Sequence, residues 1–168
     1  MTLHVVVASL SLVAALAKTD VAAHADSALC AEAARFLRED RRMIAEIEPD
    51  TIDDWRTKRR LPGCRITAAG ASTLGLAREA VFFYERVRAV GWTRTPEPRD
   101  SPTEASLRFR FGQADCLFNI NREALLGTDA EARVNGALQL PDGQSRYQLF
   151  VMCMPALPAA PRSLFDAR

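Results

Sequence analysis

The chain is 168 residues long, 48% hydrophobic and 26% charged, with 22 Lys and Arg against 21 Asp and Glu. That length fits one domain able to bury a core, and the balanced composition excludes disordered, collagen-like and coiled-coil classes. A formal net charge of +1 supplies no general field for nucleic acid or an anionic membrane. The only histidines, His4 and His24, lie in or beside an apolar leader, so the main body holds no His-based triad, HExxH zinc site or Cys/His finger.

The run Leu3 to Ala17 is broken only by His4, Ser9 and Ser11. It is shorter than the roughly 17–25 residues a membrane span needs. It predicts a signal peptide over residues 1–25, cleaved after Ala25 (Ala23-His24-Ala25) or after Ala17 (Ala15-Leu16-Ala17), although no Lys or Arg precedes the apolar run. Leu29 is too bulky for Cys30 to be a lipoprotein cysteine. The expected location is periplasmic or secreted, with no stable membrane span once the leader is removed. Cys30, Cys64, Cys116 and Cys153 all follow both cleavage sites, and none falls in a CxxC pair. Four scattered cysteines in an exported chain predict two disulfides rather than a metal or redox motif.

Asp26-Ser27 caps a helical pattern running to about Ile47 and stopped by Pro49. A short helix is expected from Thr51 to Lys58, with Asp50 as its cap and Arg56, Lys58, Arg59 and Arg60 at its end, where the dipole favours positive charge. Capping accounts for Asp50 and Asp53 better than Ca²⁺ does, because the Asp50, Asp53, Asp54 cluster lacks EF-hand spacing. Pro62-Gly63 leads into a strand over Cys64–Ala69. The Gly70–Gly75 loop matches no phosphate-loop motif, although the bare helix start after it can still hold an anion. Leu76, Ala80, Phe83, Val87 and Val90 form the clearest helical stripe, with Gly91 as left-handed cap and Trp92 folded back onto Val87.

Pro96, Pro98 and Pro102 mark an exposed loop over Thr93–Thr103. Leu107, Phe109 and Phe111 then alternate with Arg108 and Arg110. A two-residue type II′ turn at Gly112-Gln113 places Arg110 opposite Asp115, Phe109 opposite Cys116 and Leu107 opposite Phe118. Residues 123–131 are expected to be a loop or a short helical turn, and Val134–Leu140 a strand. The last strand, Arg146–Met154, is apolar on both faces and is therefore expected to be central or covered. Residues 155–168, rich in Pro and Ala, read as a flexible tail.

The fold class is α+β: an antiparallel sheet of four or five strands on one long helix, with an N-terminal helix stapled to the core, within a single domain over 26–154. All four cysteines lie on core-facing stripes. Cys116–Cys153 is the preferred pair between neighbouring strands, leaving Cys30–Cys64 to staple the N-terminal helix. Arg65, Arg108 and Arg110 project from the opposite sheet face and are the candidate binding residues, Arg108 standing opposite Leu117 in this register. Their bland role is to solvate that face. Tyr84 and Trp92 are candidates for stacking a ligand, but aromatics at that position are more often core. No catalytic spacing stands out, a Glu104–Asp115 carboxylate pair included. No cofactor and no metal is expected. The function expected is a non-enzymatic exported binding module for an envelope or extracellular protein or an anionic small ligand. A carboxylate- and arginine-based hydrolase- or lyase-like enzyme, or a structural envelope protein, are the alternatives.

Overall fold

The computed structural model describes residues 26–54, 56–95 and 106–157. The leader with its cleavage sites, the stretch 96–105 including Glu104, and tail residues 158–168 lie outside the described residues. The chain opens with a 3-10 turn (Ser27–Cys30), helix α1 (Ala31–Arg35) and a π turn (Phe36–Asp40), followed by β1 (Ile44–Asp54) and β2 (Arg59–Ser72). Helix α2 (Leu76–Ala89), β3 (Thr93–Arg94), β4 (Ser106–Phe111), β5 (Ala114–Asn121), α3 (Asp129–Ala137) and β6 (Ser145–Pro155) complete it. One antiparallel sheet of six strands results, in the order β1-β2-β6-β5-β4-β3.

The fold class is α+β as expected, with six strands instead of four or five and three helices instead of one long helix and its N-terminal staple. Three local expectations are corrected. The N-terminal helical stretch stops at Asp40, and Arg42 takes the left-handed conformation (φ 52°). Residues 44–54 are then strand, where helix to Ile47 and a second helix from Thr51 were expected. Pairing decides this. Ile44, Ile47, Thr51 and Ile52 are β-branched, and β1 lies in register with β2 from Ile44 opposite Ala69 to Asp54 opposite Arg59. Third, Val134 belongs to a helix rather than a strand. Thr128 and Glu131 form a capping box, and Ala130 and Val134, four apart, are the helix's buried apolar residues.

The β4–β5 register is as expected, including Arg110 opposite Asp115, Phe109 opposite Cys116 and Leu107 opposite Phe118. Helix α2 also ends as expected: Gly91 has φ 97° and Trp92 N donates to the Val87 carbonyl. The last strand inserts between β2 and β5, which explains why it is apolar on both faces. The start of the tail is not loose: Pro155 ends β6, and Ala156 N donates to the Gln113 carbonyl at 2.7 Å.

The main core lies between one sheet face and the helices. Phe36 and Leu37 from the N-terminal turn and Phe83, Tyr84 and Val87 from α2 pack on Ile66, Phe109, Phe118 and Val151. Cys30–Cys64 and Cys116–Cys153 are both formed, the pairing preferred from the sequence. Cys153 lies directly opposite Cys64 on one side and Cys116 on the other, so the two bridges meet in one cross-strand row. Helix α3 covers part of the second face, where Arg133 pairs with Glu46 and Gln148 donates to Asn135. The β2–β6 contact leaves no room at Gly63. A Cβ there would sit 2.3 Å from the Cys153 carbonyl oxygen and 2.9 Å from Ile52 Cγ1. Gly63→Ala is therefore expected to lower stability by about 1–3 kcal/mol in urea denaturation, the cost of overpacking.

Candidate functional site

Arg65, Arg108 and Arg110 share the second face, and Arg65, Met152, Leu117 and Arg108 make one row across four strands. Their surroundings differ from an open arginine surface. Arg110 is bidentate to Asp115, at 2.6 and 2.8 Å. Arg65 is paired with Glu48 at 3.0 Å and Asp50 at 3.6 Å across β1. Arg108 is only 1% exposed, which corrects the expectation that it projects into solvent. Segments that are distant in sequence roof this end of the face. Arg56, from the turn after β1, reaches Asp115 at 3.0 Å, and Leu157 N donates to the same carboxylate from beyond β6.

Asp54, Arg56, Asp115 and Arg110 thus form one chain of alternating charge in which both carboxylates are buried. The turn is not the helix end expected for residues 56–60. Asp54 organises it by accepting from Arg56 N and Nε and from the Thr57 hydroxyl, and Lys58 takes a left-handed conformation (φ 56°). Burial pushes Asp115 up, but hydrogen bonds from Arg110 and Arg56 outweigh it and hold the carboxyl below its ordinary range. Asp54 is displaced likewise, with burial again opposed by Arg56 and Thr57. Acid–base work by a carboxylate pair needs one member held protonated near neutrality. Both of these are displaced the other way, and the chain of charges ties the turn after β1 to β4 and β5.

A second group of polar residues gathers where the end of β2 and the start of β6 meet the start of α2. Helix α2 opens at Gly75 (φ 72°) without a side-chain cap, beside a pocket of about 300 Å³. Ser72, Glu79, Arg122, Ser145, Arg146 and Tyr147 are among its lining residues. At its base Glu79, 3% exposed, accepts from Arg41 and from the Ser72 hydroxyl at 2.5 Å. Arg41 lies over the Phe82 and Phe83 rings and neutralises Glu79. Burial pushes the Tyr147 hydroxyl up to about 12, so it stays protonated at neutral pH. Arg122 and Arg146 are exposed and form no salt bridge among the described residues.

The pocket continues into a groove of about 930 Å³ between α2 and strands β4 and β5, with Leu76 and Arg122 lining both. Ala77, Ala80, Val81, Leu107, Phe109 and Ile120 form its apolar walls. Val81 is 61% exposed on its lip. Arg88, Arg94 and Arg122 stand along the groove against a single acid, Glu85. Tyr84 also lines it, with its hydroxyl donating to the Phe118 carbonyl and its ring stacked on Phe109. Trp92 is core, between Phe111 and Phe118. Sequence reasoning singled out Tyr84 and the bare start of α2, but not Arg41, Arg122 or Arg146. Those three come from separate elements, and no motif spacing links them.

No family model matches the chain, and no curated protein and no solved structure matches it. Among the described residues, no helix is long and apolar enough to cross a membrane.

Proposed function

We propose that the protein is an exported, disulfide-stabilised binding domain whose ligand lies in the groove between α2 and strands β4 and β5. The observation that carries this reading is the groove itself. Ligand sites are concave and mostly apolar, with a few polar groups converging at defined points. Here the apolar walls come from α2, β4 and β5, and polar groups stand at both ends, Ser72, Arg122 and Tyr147 at one and Glu85, Arg88 and Arg94 at the other. Two formed disulfides are consistent with an oxidising environment outside the cytosol. The arginines of the opposite face serve the fold through Asp115, Glu48 and Asp50 or lie buried, which favours the helical side.

The test uses processed protein recovered from the periplasm or medium, with an N-terminus at Asp26 or Lys18. It should bind the neutral apolar dye N-phenylnaphthylamine saturably. Val81→Glu should weaken binding at least about fivefold, because a carboxylate on the lip must be desolvated against the ligand. Circular dichroism should be unchanged, since Val81 is an exposed position. Absence of saturable binding, or equal binding by a folded Val81→Glu variant, overturns the reading.

A further inference from the structure

We infer that the groove takes a single-chain amphiphile with an anionic head, the head lying between Arg122 and Arg146 and the chain running along α2. This rests on the groove being the binding site and names the class of ligand it receives. The asymmetry of the site supports it. The end near Ser72, Ser145 and Tyr147 is polar, whereas the stretch along Ala77, Ala80, Val81, Leu107 and Phe109 is apolar. From Leu76 to Arg88 the helix rises about 18 Å, so the groove is elongated. An apolar wall that leads away from a polar pocket selects a ligand with the same division.

Charge sets the sign of the head. At the polar end Glu79 is neutralised by Arg41, and Arg122 and Arg146 outnumber Glu123 beside them, leaving a local positive excess. Along the groove, Arg88 and Arg94 face only Glu85. A guanidinium can hold a carboxylate or phosphate oxygen pair with two parallel N–H bonds. The Ser145 hydroxyl lines the same pocket and suits an oxygen-rich head, whereas the Ser72 hydroxyl is engaged by Glu79. A cationic head would meet an excess of arginines, and a neutral head would forgo the charge-assisted bonds.

Four probes that share one chain separate the head from the groove: dodecanoate, dodecyl phosphate, dodecanol and dodecyltrimethylammonium. Titration calorimetry below the micelle threshold should show both anions binding about tenfold tighter than dodecanol, with the ammonium weakest. That factor is what one charge-assisted hydrogen bond is worth. The ratio of carboxylate to phosphate then identifies which anion the head is. Arg122→Gln/Arg146→Gln, at exposed positions, should erase the preference for anions and leave dodecanol binding unchanged. Dodecanol binding as tightly as the anions, or an unchanged preference in the double variant, overturns this inference while the groove reading stands. Failure of all four probes, with no dye binding, overturns both.

Discussion

Asp115→Ala is expected to cost about 3–5 kcal/mol in urea denaturation, the loss typical of removing one partner from a buried ion pair. Asp115 is fully buried and accepts from Arg110, Arg56 and Leu157 N, so its removal leaves Arg56 nearly enclosed with Asp54 as its remaining charge partner and its Nη1 unpaired. It also frees three chain segments that this carboxylate ties together: the β1–β2 turn, strand β4 and the chain beyond β6. Asp115→Asn keeps the shape but not the charge and should recover part of the loss. A cost below about 1 kcal/mol for Asp115→Ala would mean that this carboxylate contributes no more than a surface pair does.

The same carboxylates set the response to acid. Asp54 and Asp115 are held below the ordinary carboxylate range in the folded protein, and Glu131 is held low by the backbone N–H groups of residues 125–128 against the upward push of burial. A depressed folded value means that the unfolded chain takes up protons first as pH falls. The stabilisation is therefore complete above about pH 4, the unfolded carboxylate value, and is lost as pH drops through the folded values. Stability of the wild-type chain should be flat near neutrality and fall steeply below about pH 4. The slope should be shallower in Asp115→Ala.

The second large effect concerns the cysteine row. Removing the Cys30–Cys64 bridge by a double substitution to Ala should cost about 2–4 kcal/mol, since the bridge closes a long loop in the unfolded chain. Cys30→Ala alone should behave differently. The sulfurs of Cys30, Cys64 and Cys153 lie within 4.8 Å of one another, and Cys64 is the cross-strand neighbour of Cys153. The freed Cys64 thiolate can attack the Cys153 sulfur, forming Cys64–Cys153 and releasing Cys116 as the thiolate. Non-reducing peptide mapping of equilibrated Cys30→Ala protein should return both Cys116–Cys153 and Cys64–Cys153. Recovery of Cys116–Cys153 alone would show that the buried row does not exchange.

Features whose causes are local, or repeat along one strand, were legible in the sequence. The α2 stripe, its Gly91 stop and the Gly112-Gln113 turn need only near neighbours in the chain. The pairing of Arg110 with Asp115 follows once that turn is set. The disulfide pairing was also legible, because each cysteine sits on an apolar stripe and stripes of that kind face one core. Glu131 belongs with these, since the Thr128-to-Glu131 box is a local signal whose helical meaning an apparent strand at Val134 obscured.

What only the tertiary structure decided depends on contacts between segments far apart in the chain. Residues 44–54 carry both helical caps and β-branched positions, and pairing with β2 settles them as strand. Arg108 alternates with core residues as a surface arginine would, yet it is buried in the assembled fold. The groove is likewise invisible in one dimension. Its walls come from α2, β4 and β5, and its charged end joins Arg41 from before β1, Arg122 from after β5 and Arg146 from β6. A sequence records which residues can solvate a face or fill a stripe, whereas the insertion of β6 between β2 and β5 determines which of them meet.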